Sequence, residues 1–281
     1  MDKCTKLREL LTSQDPLIMP DAYDPISAKM IEYMGFNAVQ CSDFSFAVAD
    51  ALANEIDISL EENLKKTRKI VDAVNIPVMA DGEDGYGGIK SVKNTVRLFM
   101  EVGVAGINLE DQVLHNDNVS PFCQLIDSES MQEKIMVARE SADEIDSDFI
   151  INARTDALRS KNDREESLEI AIERANSYLR SGADLTFIPY VENLKEVETI
   201  TKKVKGPVSI AAGLSYNIDS FSMEDLKKFG VKRVSLPTLM LFSAIKSMEM
   251  GLNLLKEDNL SGNSDNLIYS PYKLKKLLEP F

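Results

Sequence analysis

Four short segments carry the side chains best placed to do chemistry. In Ala80-Asp81-Gly82-Glu83-Asp84-Gly85-Tyr86-Gly87, two carboxylates lie two residues apart among glycines that let a ligand approach the backbone. On an extended segment such residues face the same way, so Asp81 and Glu83 are expected to point together. Asn108-Leu109-Glu110-Asp111-Gln112 adds Glu110, and Asn152-Ala153-Arg154-Thr155-Asp156 adds a guanidinium. Asp81, Glu83 and Glu110 are hard oxygen donors that suit Mg²⁺ with several retained waters, Mn²⁺ being the alternative. Arg154 can grip a carboxylate or phosphonate with two parallel hydrogen bonds. The fourth segment, Cys41-Ser42-Asp43-Phe44, offers polar groups for substrate. A plainer reading stands beside this one: acidic residues at strand ends cap helices, and an arginine nearby balances their charge. Spacing alone leaves both open.

Other chemistries find less support. His115 is the sole histidine, which excludes a histidine-rich zinc site. A Ser–His hydrolase would have to use His115, which sits in a polar loop without an evident orienting partner. Cys4, Cys41 and Cys123 are widely spaced and odd in number, against a disulfide framework.

Something must bring these segments together. Short apolar runs read as strands near 17–19, 38–40, 78–80, 106–109, 149–153, 185–188, 208–211 and 233–236. Several are apolar throughout, as strands buried on both faces are. Helical patterns lie between them: 90–103 turns Val92, Val96, Phe99 and Val102 to one side, and 166–181 does so with Leu168, Ala171, Ile172, Ala175 and Leu179. Glycines follow both, at Gly103 and Gly182. Eight such units predict an α/β chain folded as a (β/α)8 TIM barrel, whose chemistry sits at the C-terminal strand ends. That is where all four segments fall. The barrel is assigned to residues 1–255. Residues 256–281 form a polar linker and a C-terminal helical tail near 271–278, able to pack on its own barrel or to swap between subunits.

Composition narrows the partners. The 281 residues are 44% hydrophobic, enough for a large core, and carry a net charge of −14. That charge repels nucleic acid and anionic membranes, so neither is expected as a partner. No apolar run approaches the roughly 20 residues that span a bilayer. The first residues lead into a charged helix instead of an apolar signal core. A cytoplasmic protein is expected.

Taken in order, Pro20-Asp21-Ala22-Tyr23-Asp24-Pro25-Ile26-Ser27-Ala28, the Asp81 and Glu110 segments, Ala153-Arg154-Thr155-Asp156-Ala157 and Ser235-Leu236-Pro237-Thr238 resemble the isocitrate lyase / phosphoenolpyruvate mutase superfamily. The resemblance runs from about Leu11 to Leu255. It implies a Mg²⁺-dependent lyase or mutase that cleaves or rearranges a C–C or C–P bond of a small anionic 2-oxo or 2-hydroxy acid through a metal-stabilised enolate. It also implies a homo-oligomer, dimer or tetramer, that exchanges its last helix.

Departures from the family pattern shape the expected site. Isocitrate-type members carry an acid/base cysteine where Asn118 falls. Phosphonopyruvate-handling members have a Lys-Thr-Asn loop, matched by Asn118 but with Asn116 in place of the lysine. Asp43 follows Ser42 where glycine is usual, and Asn54 replaces an aspartate. Glu83 replaces the second aspartate of the metal motif, and Pro189-Tyr190 stands where isocitrate-type members have a glutamate. The expected catalytic residues are therefore Glu110, Arg154 and Asn118. Ser42, Asp43, Phe44, Asn54, Asn116 and Arg154 are expected to bind substrate. The phosphonopyruvate/oxaloacetate-type branch is favoured. The alternatives are a methylisocitrate-type lyase with a rebuilt acid/base and a catalytically silent ligand-binding barrel.

Overall fold

The computed structural model describes residues 2–53, 57–113, 122–256 and 268–279. Eight parallel strands form one sheet: β1 Leu17–Pro20, β2 Val39–Gln40, β3 Val78–Asp81, β4 Gly106–Glu110, β5 Ile150–Arg154, β6 Leu185–Ile188, β7 Val208–Ala211 and β8 Arg233–Leu236. The spatial order β1-β8-β7-β6-β5-β4-β3-β2 is that of a barrel. A parallel bridge between Asp21 and Gln40 joins β1 to β2, and the Ala22 N–H donates to the Gln40 carbonyl at 2.9 Å. The (β/α)8 barrel inferred from the alternating pattern is the fold.

Helices surround the sheet: α1 Lys3–Thr12, α2 Pro25–Tyr33, α3 Asp43–Ala49, α4 Leu60–Ala73, α5 Ile89–Val102, α6 Ser128–Asp143, α7 Arg164–Arg180, α8 Leu194–Lys203, α9 Met223–Lys228, α10 Leu239–Lys256 and α11 Pro271–Leu278. Local chemistry sets their ends. Asp24 and Ser27 form a reciprocal cap on α2, with Pro25 at its first position, and Ser59 and Glu62 do the same for α4. Gly103 ends α5 in the left-handed region at φ 91°, where an L side chain is strained. Val92, Val96, Phe99 and Val102 are buried, as the period of α5 requires.

Three strands run one residue further than their apolar character suggests. Those residues are Asp81, Glu110 and Arg154, so each is the last residue of its strand. Strand register then places Glu110 beside Arg154 and Asp81 beside Asn108. The barrel itself, not a loop, positions these three side chains.

The tail helix α11 packs against α2 of the same chain and buries Leu277. By contrast α10, eighteen residues long, buries Leu241 and leaves Leu239, Phe242, Ile245, Met248, Leu252 and Leu255 exposed.

Candidate active site

Arg154 anchors the carboxylate-rich end of the barrel. Its Nη1 lies 2.6 Å from Glu110 Oε2. Its Nε and Nη2 donate to the two carboxylate oxygens of Asp156, both at 2.8 Å. Burial works against the guanidinium charge, but Asp156 and Glu110 outweigh it and hold Arg154 protonated. Asp111, fully buried, ties this group to the helices: it accepts from Tyr178 Oη at 2.7 Å, Arg174 Nη1 at 3.0 Å and the Asp156 N–H at 3.1 Å. Burial still raises the Asp111 carboxyl.

The β3 end is built by glycine and strain. A Cβ on Gly82 would stand 2.5 Å from Ile107 Cδ1 and 2.7 Å from the Asn108 carbonyl, so β3 and β4 approach this closely only with glycine there. The strand stops at Asp81, and Gly85 N–H closes a turn on the Gly82 carbonyl at 2.8 Å. Glu83 in that turn has φ 47° and Tyr86 φ 55°, conformations few non-glycine residues adopt. The Glu83 carbonyl accepts from the Glu110 N–H at 2.8 Å, which locks the turn onto β4.

A cavity of about 220 Å³ opens at the C-terminal end of the barrel. Asp81, Arg154 and Asn108 line one side, with Gln40, Cys41, Ser42 and Phe44 beside them. The other side is Phe187, Pro189, Tyr190, Leu214, Tyr216 and Pro237. Tyr190, at φ 65°, stacks obliquely on Tyr216 with ring centroids 5.8 Å apart, and its N–H donates to Tyr216 Oη at 3.3 Å. Arg159 lies 4.9 Å from the Tyr190 ring centre. Burial raises the Asp81 carboxyl, opposed by Arg154, by the Asp43 and Glu83 amides and by Arg233.

A sequence model of the family described as phosphoenolpyruvate phosphomutase matches residues 7–255. The chain belongs to this family. Its relatives include a 2,3-dimethylmalate lyase of Eubacterium barkeri, 28% identical over 95% of this chain and 91% of the relative. A 2-methylisocitrate lyase of Aeropyrum pernix is 30% identical over 89% and 79%. Among solved structures, a phosphoenolpyruvate phosphomutase from Streptomyces platensis subsp. rosaceus superposes with a TM-score of 0.85 at 24% identity, covering 98% of this chain and 94% of the other. An oxaloacetate acetylhydrolase bound to 3,3-difluorooxalacetate gives 0.86 at 24% identity, covering 99% and 93%. These two establish the shared fold.

Within this phosphomutase-family barrel the expected site residues separate into three groups. Ser42, Phe44, Asp81 and Arg154 line the cavity. Asp43, Glu83 and Glu110 are buried beside it and are not among its described lining residues. Asn54, Asn116 and Asn118 lie outside the described residues, as does His115.

Two expectations need correction. Asp81 and Glu83 do not share an extended segment, because the tight β3–β4 approach at Gly82 ends the strand and turns the chain. Their oxygens and those of Glu110 do not all come within 4.8 Å of one another; among the described residues, that closeness occurs in Asp2, Cys4 and Asp146. Asp43, expected to bind substrate, accepts hydrogen bonds from Asn63 Nδ2 and Tyr86 Oη. That arrangement answers the repulsion a carboxylate beside a carboxylate site would cause. Burial, with Asp156 and Asp111, pushes the Cys123 thiol up to about 12, which disfavours the reactive thiolate near neutral pH.

Further polar residues, none of them assigned a role from the sequence, meet around the site. Asn63 bridges Asp43, the Asp81 carbonyl and Tyr86. Asp21 accepts from Ser45 Oγ and, at 3.4 Å, from the Thr238 N–H. Burial pushes its carboxyl up to about 8. Gln40, Ser235 and Arg233 meet only because the barrel closes.

Proposed function

We propose that this chain is a Mg²⁺-dependent lyase or mutase acting on a small 2-oxo or 2-hydroxy carboxylic acid. The observation that carries the reading is one cavity faced by both the Asp81 carboxylate and the Arg154 guanidinium. Carboxylates crowd this end of the barrel, so an anionic substrate needs added positive charge there. The donor set fits a hydrated Mg²⁺: Asp81 lines the cavity, Glu83 and Glu110 are buried beside it, and all three would hold the ion directly or through retained waters. Mn²⁺ would suit the same oxygens. When bound, the ion supplies Lewis-acid polarisation of a substrate oxygen.

The chain's own groups do the rest. Arg154, held rigid by Asp156 and Glu110, presents its charge to the substrate carboxylate. Ser42 is placed to hydrogen-bond the same molecule. Phe44, in the first turn of α3, lines the cavity and packs edge-to-face on Phe242 with centroids 6.4 Å apart. Residues 113 and 123 flank the loop assigned to acid/base chemistry; Val113 N–H donates to the Gln124 carbonyl at 2.8 Å, so the loop leaves the barrel from a paired stem. From the family pattern we propose Asn118 as a catalytic residue and Asn54 and Asn116 as substrate-binding residues.

The phosphonopyruvate/oxaloacetate-type branch remains the favoured one, since such small anionic substrates suit a cavity of this size lined by the Arg154 guanidinium. A second reading rests on the apolar wall of Phe187, Pro189, Leu214 and Tyr216, which suits an alkyl-substituted malate such as the Eubacterium barkeri relative's name describes. Phosphorus and proton NMR of the protein with Mg²⁺ and, separately, phosphonopyruvate, oxaloacetate, methylisocitrate and 2,3-dimethylmalate decides between them. Metal-dependent loss of one compound fixes the branch. No turnover, with ligand-induced stabilisation retained, marks a silent binding barrel.

The exposed apolar stripe of α10 supports a homo-oligomer, with a second copy of this chain covering it. Light scattering after gel filtration tests it; a monomer at all concentrations contradicts it. Among the described residues no helix is long and apolar enough to cross a membrane.

A further inference from the structure

The cavity floor contains a buried cation that the reaction outlined above does not use. Arg233, the first residue of β8, is fully buried. Its hydrogen bonds among the described residues go to neutral acceptors: Ser209 Oγ at 2.9 Å, Met19 Sδ at 3.2 Å and Gln40 Oε1. The guanidinium also lies 5.3 Å from the Phe187 ring centre. Phe187, Gln40 and Ser235 all line the cavity, so the charge sits directly beneath its floor.

Arginine only donates, and that fixes the sense of the next bonds. Gln40 must turn its carbonyl oxygen to Arg233, which leaves its amide nitrogen to donate to Ser235 Oγ at 2.8 Å. A side-chain amide nitrogen cannot accept, so the Ser235 proton cannot point back along this chain. Asn108 repeats the pattern on the neighbouring wall: its oxygen accepts from Asn152 Nδ2 at 2.6 Å, leaving its own N–H groups for the cavity. The floor therefore has its acceptors engaged and its donors available, over an Arg charge. Such a surface favours anionic oxygen.

We propose that Ser235 donates a hydrogen bond to an anionic oxygen of the bound acid, and that Arg233 and Gln40 are positioning residues that fix the hydroxyl in that sense. The inference rests on the reading of the cavity as a carboxylic-acid site. It adds a contact from β8, opposite the Asp81 and Arg154 wall.

Oxalate, a small dianion free of side-chain complications, is the probe. Its binding to the full chain with Mg²⁺ is measured by calorimetry for the wild type, four single variants and one double variant. Ser235→Ala is expected to weaken oxalate about ten-fold, with the ligand-free melting temperature unchanged. Ser235→Thr restores most of the affinity. Ser209→Ala, which also touches Arg233 but does not line the cavity, binds as the wild type does. Gln40→Met weakens binding alone, yet adds little to Ser235→Ala, because both act through one hydroxyl. A merely structural Gln40 would add its full effect to the double variant, and that result overturns the relay. Wild-type affinity in Ser235→Ala overturns the proposed contact while leaving the acid-binding site standing. Absence of oxalate binding by the wild type overturns both.

Discussion

The two walls of the cavity were built by different means. On the β3–β5 wall, Asp81, Glu110 and Arg154 each end their own strand, and strand register sets Glu110 against Arg154. On the opposite wall, β6 to β8 contribute Phe187, Tyr190, Tyr216 and Ser235 from strands and the loops after them, with Tyr190 and Thr238 at positive φ. The first wall is charged, rigid and suited to holding a metal and a carboxylate. The second is mostly apolar and suited to selecting what else the substrate carries. The contrast teaches that the proposed function assigns metal and carboxylate binding to one wall and recognition to the other, so substitutions on the two walls should fail in different ways.

Arg154→Lys should give the largest effect. The charge survives but the double grip on Asp156 is lost, and turnover should fall by about 10²–10³-fold, read from kcat/KM of whichever acid the NMR screen finds. A variant with near-normal kcat/KM would move the anion-binding role off this wall. Gly82→Ala comes next. Its Cβ would meet Ile107 and the Asn108 carbonyl at under 3 Å, so unfolding in urea should shift by about 1–3 kcal/mol. An unchanged midpoint would mean that the β3–β4 approach is not what ends the strand.

Asp21, between the walls, gives a pH signature. Its carboxyl sits at about 8 in the folded chain, raised by burial from an ordinary 3.8. The folded state thus keeps a proton that the unfolded chain releases near pH 4. This group's contribution to stability falls as pH rises from about 4 to about 8 and is level above that. Comparing urea midpoints of the wild type and Asp21→Asn across this range should show the variant gaining relative stability toward pH 8; a constant difference contradicts it. The smallest effect belongs to the far wall. Tyr216→Phe removes the acceptor of the Tyr190 N–H and should cost about 0.5–1.5 kcal/mol in substrate discrimination, appearing in KM more than kcat. A kcat effect equal to that of Arg154→Lys would erase the distinction between the walls.

The same contrast explains what the sequence disclosed. All eight strands were legible because continuous apolar runs alternate with amphipathic helices, and Gly103 marks a helix end in plain view. Asp81, Glu110 and Arg154 were legible because each sits in a compact local segment at a strand end. Glu83 misled, since alternation assumes an extended chain and the crowding of Gly82 on β4 is invisible locally. The partners of Asp43 were hidden in the same way: Asn63 and Tyr86 arrive from α4 and the β3 turn. Gln40 and Arg233 carried almost no signal, and Ser235 stood out only as the first residue of a family-like segment. Gln40 is 193 residues from Arg233 and 195 from Ser235 along the chain, and barrel closure alone unites them. Beside Lys232, Arg233 reads as one more surface charge.

The central claim is that the β3–β5 wall holds a divalent cation through Asp81. Calorimetric titration of Mg²⁺ into the chelator-treated wild type and into Asp81→Asn tests it most directly. The account predicts saturable binding by the wild type and its loss in the variant, with the helical content of both unchanged. Equal binding by the two proteins, or none by the wild type, would contradict it.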